Sequence, residues 1–209
     1  KFVIMNVVEK EKALLGRKNR NSEGYYIERE DLQIMKCVGI IGAMEQEVAR
    51  LKEVMENVSI TTRAGMDFYE GILEGKKVVV VQSGIGKVNA GMCTQILVDL
   101  FQVEAVINTG IAGSLNNDIN IGDIVLSTDV LHHDMDATGF GYPKGQIPQM
   151  KEFSFQADEC LRKIAHNVCE EVNPEIQVFE GRIASGDQFV CDQGVKDAIV
   201  KEFGAYAVE

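Results

Sequence analysis

Apolar runs that end on glycine and lead into helix-periodic segments recur along this chain, and that recurrence limits the folds open to it. The clearest case is Val78 to Val81, continuously apolar and broken by Ser83-Gly84-Ile85-Gly86-Lys87. Val88 to Phe101 follows, with Ala90, Cys93, Thr94, Leu97 and Phe101 on one helical stripe. A run without alternation suits a strand covered on both faces. Cys37 to Ile41 repeats the unit, closed by Gly42-Ala43 and followed by a helix over Glu45 to Met55. Further strands are predicted at Ile60 to Arg63, Met66 to Leu73, Lys77 to Gln82, Ala105 to Asn108, Ile124 to Thr128, Gln177 to Ile183 and Ala205 to Val208. Further helices are predicted over Phe155 to Val172 and Gln193 to Phe203. This order predicts an α/β fold, with a mixed, largely parallel sheet and helices on both faces.

A length of 209 residues supports one sizeable core. The formal net charge of −11 disfavours nucleic acid and anionic membranes as partners. Residues 1–36 depart from the acidic trend and read as a non-catalytic N-terminal extension, with the domain running over 37–209. Cys37, Cys93, Cys160, Cys169 and Cys191 form no CxxC and no metal-site spacing, so reduced thiols and no metal are expected. No apolar run is long enough to cross a bilayer, and Lys1 to Met5 is too short for a signal segment. The expected location is the cytoplasm.

In open α/β sheets, ligands lie beyond the carboxyl ends of strands. Four clusters fall there: Gly42 to Glu47, Ser83 to Gly86, Asn108 to Gly113, and Ser185 to Phe189. Glu47, in the first turn of a helix, is either a solvated helix-start acid or a general base for water. Neither Gly39 to Met44 nor Ser83 to Lys87 has the glycine spacing of a dinucleotide fingerprint or a P-loop, so no cofactor is expected. Lys87 reads as a surface or turn lysine. His132 and His133 point in different directions and read as loop groups that hold backbone. His166 reads as a solvated helix histidine. Phe140, between two glycines on the long loop from His132 to Gln149, reads as a ligand or subunit contact. Phe189 is either core or a stacking surface for a flat ring.

From Cys37 onward the chain resembles the 5′-methylthioadenosine/S-adenosylhomocysteine nucleosidases of the purine nucleoside phosphorylase superfamily. The resemblance rests on Gly39 to Glu47, Ser83 to Val88, Asn108-Thr109-Gly110, His133-Asp134 through Phe140-Gly141-Tyr142, and Ser185-Gly186-Asp187. It implies a three-layer αβα sandwich, a homodimer, and a small purine nucleoside as substrate. It implies hydrolysis of the N-glycosidic bond, through an oxocarbenium-like transition state. Glu47 matches the water-activating glutamate, and Met44 the position beside the ribose. Ala112 and Gly113 match the loop beneath sugar and base. Phe189 matches the aromatic that stacks on adenine, and the backbone of Val190 the group that reads the purine edge. Val208 and Glu209 match the start of a Val-Glu-Met-Glu segment that reaches the ribose. Phe140 matches an aromatic that crosses the dimer interface to the alkylthio pocket.

Three departures qualify the resemblance. Ile111 stands where the family has a small hydroxyl residue that helps position the water. Residues 1–36 have no counterpart. The match also stops short of the family's C-terminal strand and helix, which carry the aspartate that protonates the leaving base. Asp187 is the nearest acid, at a position that is structural in the family. Related phosphorylases, with Arg63 or Ser83 as phosphate ligands, futalosine-type hydrolases, and a silent nucleoside-binding fragment are the alternatives.

Overall fold

Val78 to Val81 lie in the middle of a strand buried on both sides, as their unbroken apolar run predicts. In the computed structural model, which describes residues 2–7 and 35–209, that strand is β5 (Lys76–Gln82). The other strands are β1 (Phe2–Val7), β2 (Val38–Gly42), β3 (Glu56–Arg63), β4 (Met66–Leu73), β6 (Ala105–Gly110), β7 (Gly113–Ser114), β8 (Ile124–His132), β9 (Phe155–Gln156), β10 (Val178–Ser185) and β11 (Ala207–Val208). The helices are α1 (Glu45–Val54), α2 (Lys87–Phe101), α3 (Glu159–Val172) and α4 (Gln193–Phe203), with a 3-10 turn at Thr138–Phe140. The chain is an α/β protein with a mixed central sheet and flanking helices, as predicted.

The strand order is β3-β4-β5-β2-β6-β1-β8-β10-β11-β7, with β9 added beside β8. Strands β5, β2, β6 and β1 run parallel to one another. β8 runs antiparallel to β1, while β10 and β11 follow β8. β7 follows β6 along the chain and yet pairs with β11 at the far end of the order. The order from β6 to β7 therefore closes on itself, and the end of β6 meets the ends of β10 and β11.

Alternation along β5 assigns its side chains to two cores. Val78 and Val80 pack with Val48 and Leu51 of α1 and Leu161 of α3. Val79 and Val81 pack with Cys93 and Leu97 of α2 on the other face. A further core joins Ile199 and Phe203 of α4 to Leu131, Ala184 and Val208. Burial of this kind stabilises by about 25 cal/mol per Å² of apolar surface removed from water.

Several elements differ from expectation: β3 starts at Glu56 and not at Ile60, and β8 runs on to His132 and not to Thr128. α3 starts at Glu159 and not at Phe155, because Phe155 and Gln156 pair with Val130 and Asp129. The Asp158 carboxylate then accepts from Leu161 N–H at 2.9 Å and starts the helix. β7 is a pairing that no local pattern announces. Phe2–Val7, read in sequence as part of an extension, is an interior strand, with Ile4 opposite Asn108 of β6 and Met5 opposite Leu126 of β8. Residues 8–34 of the segment read as an extension lie outside the described residues.

Candidate active site

Glu47 is fixed by backbone donors from two strand ends. Its Oε2 accepts from Met44 N–H at 2.8 Å, and its Oε1 accepts from Ile111 N–H at 2.9 Å. The first contact is the return half of a capping box and sets the carboxylate at the start of α1. The second ties it to the end of β6. Two glycines make room for it. A Cβ at Gly110 would stand 2.7 Å from Glu47 Oε1, and one at Gly42 would stand 2.9 Å from Glu47 Cβ. Glu45, two residues earlier, is exposed and pairs with Lys52 at 2.7 Å. The two acids of the first turn thus divide, one facing solvent and one facing the sheet end.

Glu209 approaches the same place. Ser185 donates to its side chain, and Gly186 N–H donates to its backbone carbonyl at 3.1 Å. Burial pushes its carboxyl above the usual range, the Ser185 bond opposes this, and the charge of Glu47 adds to it, although the residue keeps exposed surface. Val208, just before it, is buried and pairs with Gly113. Ser83 N–H donates to Gly42 carbonyl at 2.9 Å. The four clusters expected at strand ends are therefore in contact: Gly42 to Glu47 with Asn108 to Gly113 and Ser83, and Ser185 to Asp187 with Glu209 and Lys87.

Lys87 is not a free surface lysine. Its Nζ donates to Asp134 Oδ1 at 2.6 Å and lies 3.8 Å from Asp187 Oδ2. Asp187 Oδ1 accepts from Lys87 N–H at 2.8 Å, and Asp187 N–H donates to Asp134 Oδ2 at 2.8 Å. Asp187 thus caps the start of α2. His133 is buried, and its backbone N–H donates to Ser185 carbonyl at 3.0 Å. Burial is the main cause that lowers the pKa of both His132 and His133, so both are neutral near pH 7. Among the described residues, no group of three His, Cys, Asp or Glu side chains could hold a metal ion.

Residues 38–209 match the model of the phosphorylase superfamily. A 5′-methylthioadenosine/S-adenosylhomocysteine nucleosidase of Bacillus cereus (strain B4264) is 46% identical over 173 residues, which is 82% of this chain and 74% of the relative. The chain belongs to the methylthioadenosine/S-adenosylhomocysteine nucleosidase family. Among solved structures, the nucleosidase of Colwellia psychrerythraea in complex with adenine is similar at a TM-score of 0.79 and 42% identity, covering 84% of this chain and 72% of that one. A futalosine hydrolase of Helicobacter pylori is similar at a TM-score of 0.78 and 34% identity, covering 85% and 75%.

The residues that the nucleosidase resemblance singles out do not all meet. Met44, Ala112 and Gly113 stand with Glu47 around the ends of β2 and β6. Val190 packs on the α4 core. Phe189 is 95% exposed and is not a core residue, and Phe140 is 87% exposed on its 3-10 turn. Arg63, the rival phosphate ligand, is exposed on the β3–β4 hairpin and donates to Thr62 carbonyl at 2.7 Å. Ser83 Oγ donates to Gly84 carbonyl at 2.9 Å. His166 is only partly solvated: its Nδ1 stands 3.0 Å from Glu180 Oε1 on β10. Sequence reasoning missed the Lys87–Asp134–Asp187 group and the Ser185–Glu209 bond. Only the recurrence of Lys, Asp and Asp beside three strand ends hinted at the former.

Proposed function

We propose that this protein hydrolyses the N-glycosidic bond of 5′-methylthioadenosine and S-adenosylhomocysteine, releasing adenine and the thioribose. The observation that carries this reading is the Glu47 carboxylate, held by Met44 and Ile111 N–H groups in the space left by Gly42 and Gly110. A carboxylate so fixed is preorganised to take a proton from water as it adds at C1′. The donor on the β6 side is the backbone of Ile111, so Glu47 keeps its orientation despite the lack of a hydroxyl side chain there. Met44, Ala112, Gly113, Val208 and Glu209 take the ribose side, and Phe189 with the Val190 backbone takes adenine. Binding the developing positive charge on the ribose more tightly than the substrate supplies the rate.

The test is adenine release from methylthioadenosine, measured with and without phosphate. Phosphate-independent release is expected, and Glu47→Gln is expected to lower kcat by at least about 100-fold, the lower range for a general base. Release that requires phosphate, or that survives Glu47→Gln, would overturn the reading. Release of the base from futalosine but not from methylthioadenosine would move the assignment to the hydrolase that the chain also resembles.

The protein is read as a cytoplasmic homodimer. The five cysteines are thiols, three of them buried, which supports a reducing compartment. Among the described residues, no helix is long and apolar enough to cross a membrane. Ile85, Val88 and Met92 at the start of α2, with Phe140, leave a set of large apolar side chains uncovered. Val88, 80% exposed, is the natural probe. Sedimentation of the wild type is expected to give a dimer and Val88→Asp a monomer; a wild-type monomer would refute it.

A further inference from the structure

Lys87, Asp134 and Asp187 form a closed ring of contacts among three segments far apart in the chain. Both Asp134 oxygens are used, one by Lys87 Nζ at 2.6 Å and one by Asp187 N–H at 2.8 Å. Asp187 in turn accepts from Lys87 N–H at 2.8 Å. Lys87 and Asp134 are largely withdrawn from solvent, with side-chain exposures of 24% and 13%. An ion pair in such a place is stronger than a surface pair, because little water competes for it. Burial opposes ionisation of Asp134, but the Lys87 and Asp187 donors outweigh it and hold its carboxyl below the usual range.

The ring's position gives it a purpose. Asp187 is followed directly by Gln188, Phe189 and Val190, and Phe189 itself has almost no packing to fix it. On the other side, His133 fills the space beside Gly186, where a Cβ would stand 2.3 Å from its Nε2. The segment that leaves β10 is thus pinned at Gly186 and Asp187 and free immediately beyond.

We infer that Lys87 and Asp134 are positioning residues that fix the 186–190 segment at the height and direction needed to receive a flat purine base. This inference rests on the nucleosidase reading, and it makes Lys87 a determinant of base affinity and not of phosphate binding. Its cation is already neutralised by two carboxylates, one in contact and one at 3.8 Å. The ring acts on where Phe189 begins, while Glu47 acts on the water.

Calorimetric titration of the protein with adenine, beside steady-state kinetics on methylthioadenosine, tests this. Lys87→Met is expected to weaken adenine binding and raise KM by about tenfold, the scale of a lost charge-assisted bond, with a smaller effect on kcat. Lys87→Arg is expected to recover most of that loss. Arg182→Met, which removes a comparable ion pair away from this segment, is expected to lower Tm without changing adenine affinity. Lys87→Met that is folded and binds adenine as the wild type does would overturn the inference. Should Lys87→Met fail to fold, Asp134→Asn is decided by the same two outcomes. A wild type that neither binds adenine nor cleaves methylthioadenosine would sink the nucleosidase reading alone. Amide exchange then decides the ring: faster exchange at Asp187 in Asp134→Asn supports it, and unchanged exchange refutes it.

Discussion

At the residue scale, the proposed chemistry rests on a single carboxylate, Glu47, and on the absence of a side chain at Gly42 and Gly110. Glu47 was visible in sequence as a helix-start acid beside a glycine turn, but two readings fitted it. The Ile111 N–H, a partner 64 positions along the chain that no local pattern announces, ties the carboxylate to the end of β6 and supports the proposed base. Gly110 then becomes a test. Its alanine variant would place Cβ 2.7 Å from Glu47 Oε1, so the carboxylate must rotate or β6 must shift. Overpacking of this kind costs about 1–3 kcal/mol, and a carboxylate displaced by about 1 Å can lose about 100-fold in rate. Gly110→Ala is therefore expected to keep the fold, shown by circular dichroism, and to lower kcat/KM by about ten- to 100-fold. An alanine variant with wild-type kcat/KM would show that the close approach is not used.

At the element scale, legibility followed the range of the interactions. α1, α4, β4 and β5 carry their own periodicity, and their predicted spans agree with the structure to within a residue. The predicted α3 is too long because Phe155 directly precedes helix-periodic residues, and only the pairing of Phe155 and Gln156 with β8 takes them out of the helix. Long-range polar ties are equally hidden. Arg182 on β10 donates twice to Asp129 Oδ2 on β8, at 3.0 and 2.7 Å, and once to Phe203 carbonyl at the end of α4, at 2.9 Å. Burial opposes ionisation of Asp129, but Arg182, Ser154 and Thr128 prevail and hold its carboxyl below the usual range. The sign follows from that direction. A depressed folded pKa gives stability that is present above the ordinary carboxylate range, about pH 4, and is lost as pH falls through the folded value. The wild type is expected to lose Tm steeply below about pH 4, while Asp129→Asn is less stable at neutral pH by about 2 kcal/mol, with a correspondingly lower Tm that changes less in acid. Parallel Tm profiles in acid for the two proteins would remove this account.

At the scale of the whole molecule, the two halves of the site belong to two groups of strands that touch at few places. Glu47 stands on the side of β5, β2 and β6, while Ser185, Val208 and Glu209 stand on the side of β8, β10 and β11. β6 and β8 do not pair with each other; β1 lies between them, parallel to one and antiparallel to the other. Among the described residues, the remaining sheet link is β7, which pairs with β11 over only two residues. The backbone of β1 therefore carries most of the hydrogen bonding that joins the halves. Ile4 sits in the middle of it, opposite Asn108. Proline there removes an N–H from an interior strand and costs about 3 kcal/mol or more, a large part of the roughly 5–15 kcal/mol that holds a domain folded. Ile4→Pro is expected to lower Tm markedly, to speed amide exchange along both β6 and β8, and to weaken nucleosidase activity by loosening one half of the site against the other. The paired exchange result matters most, since a proline that only destabilised the chain end would leave β6 and β8 protected. Unchanged exchange in both strands would mean that the sheet is joined by something other than β1.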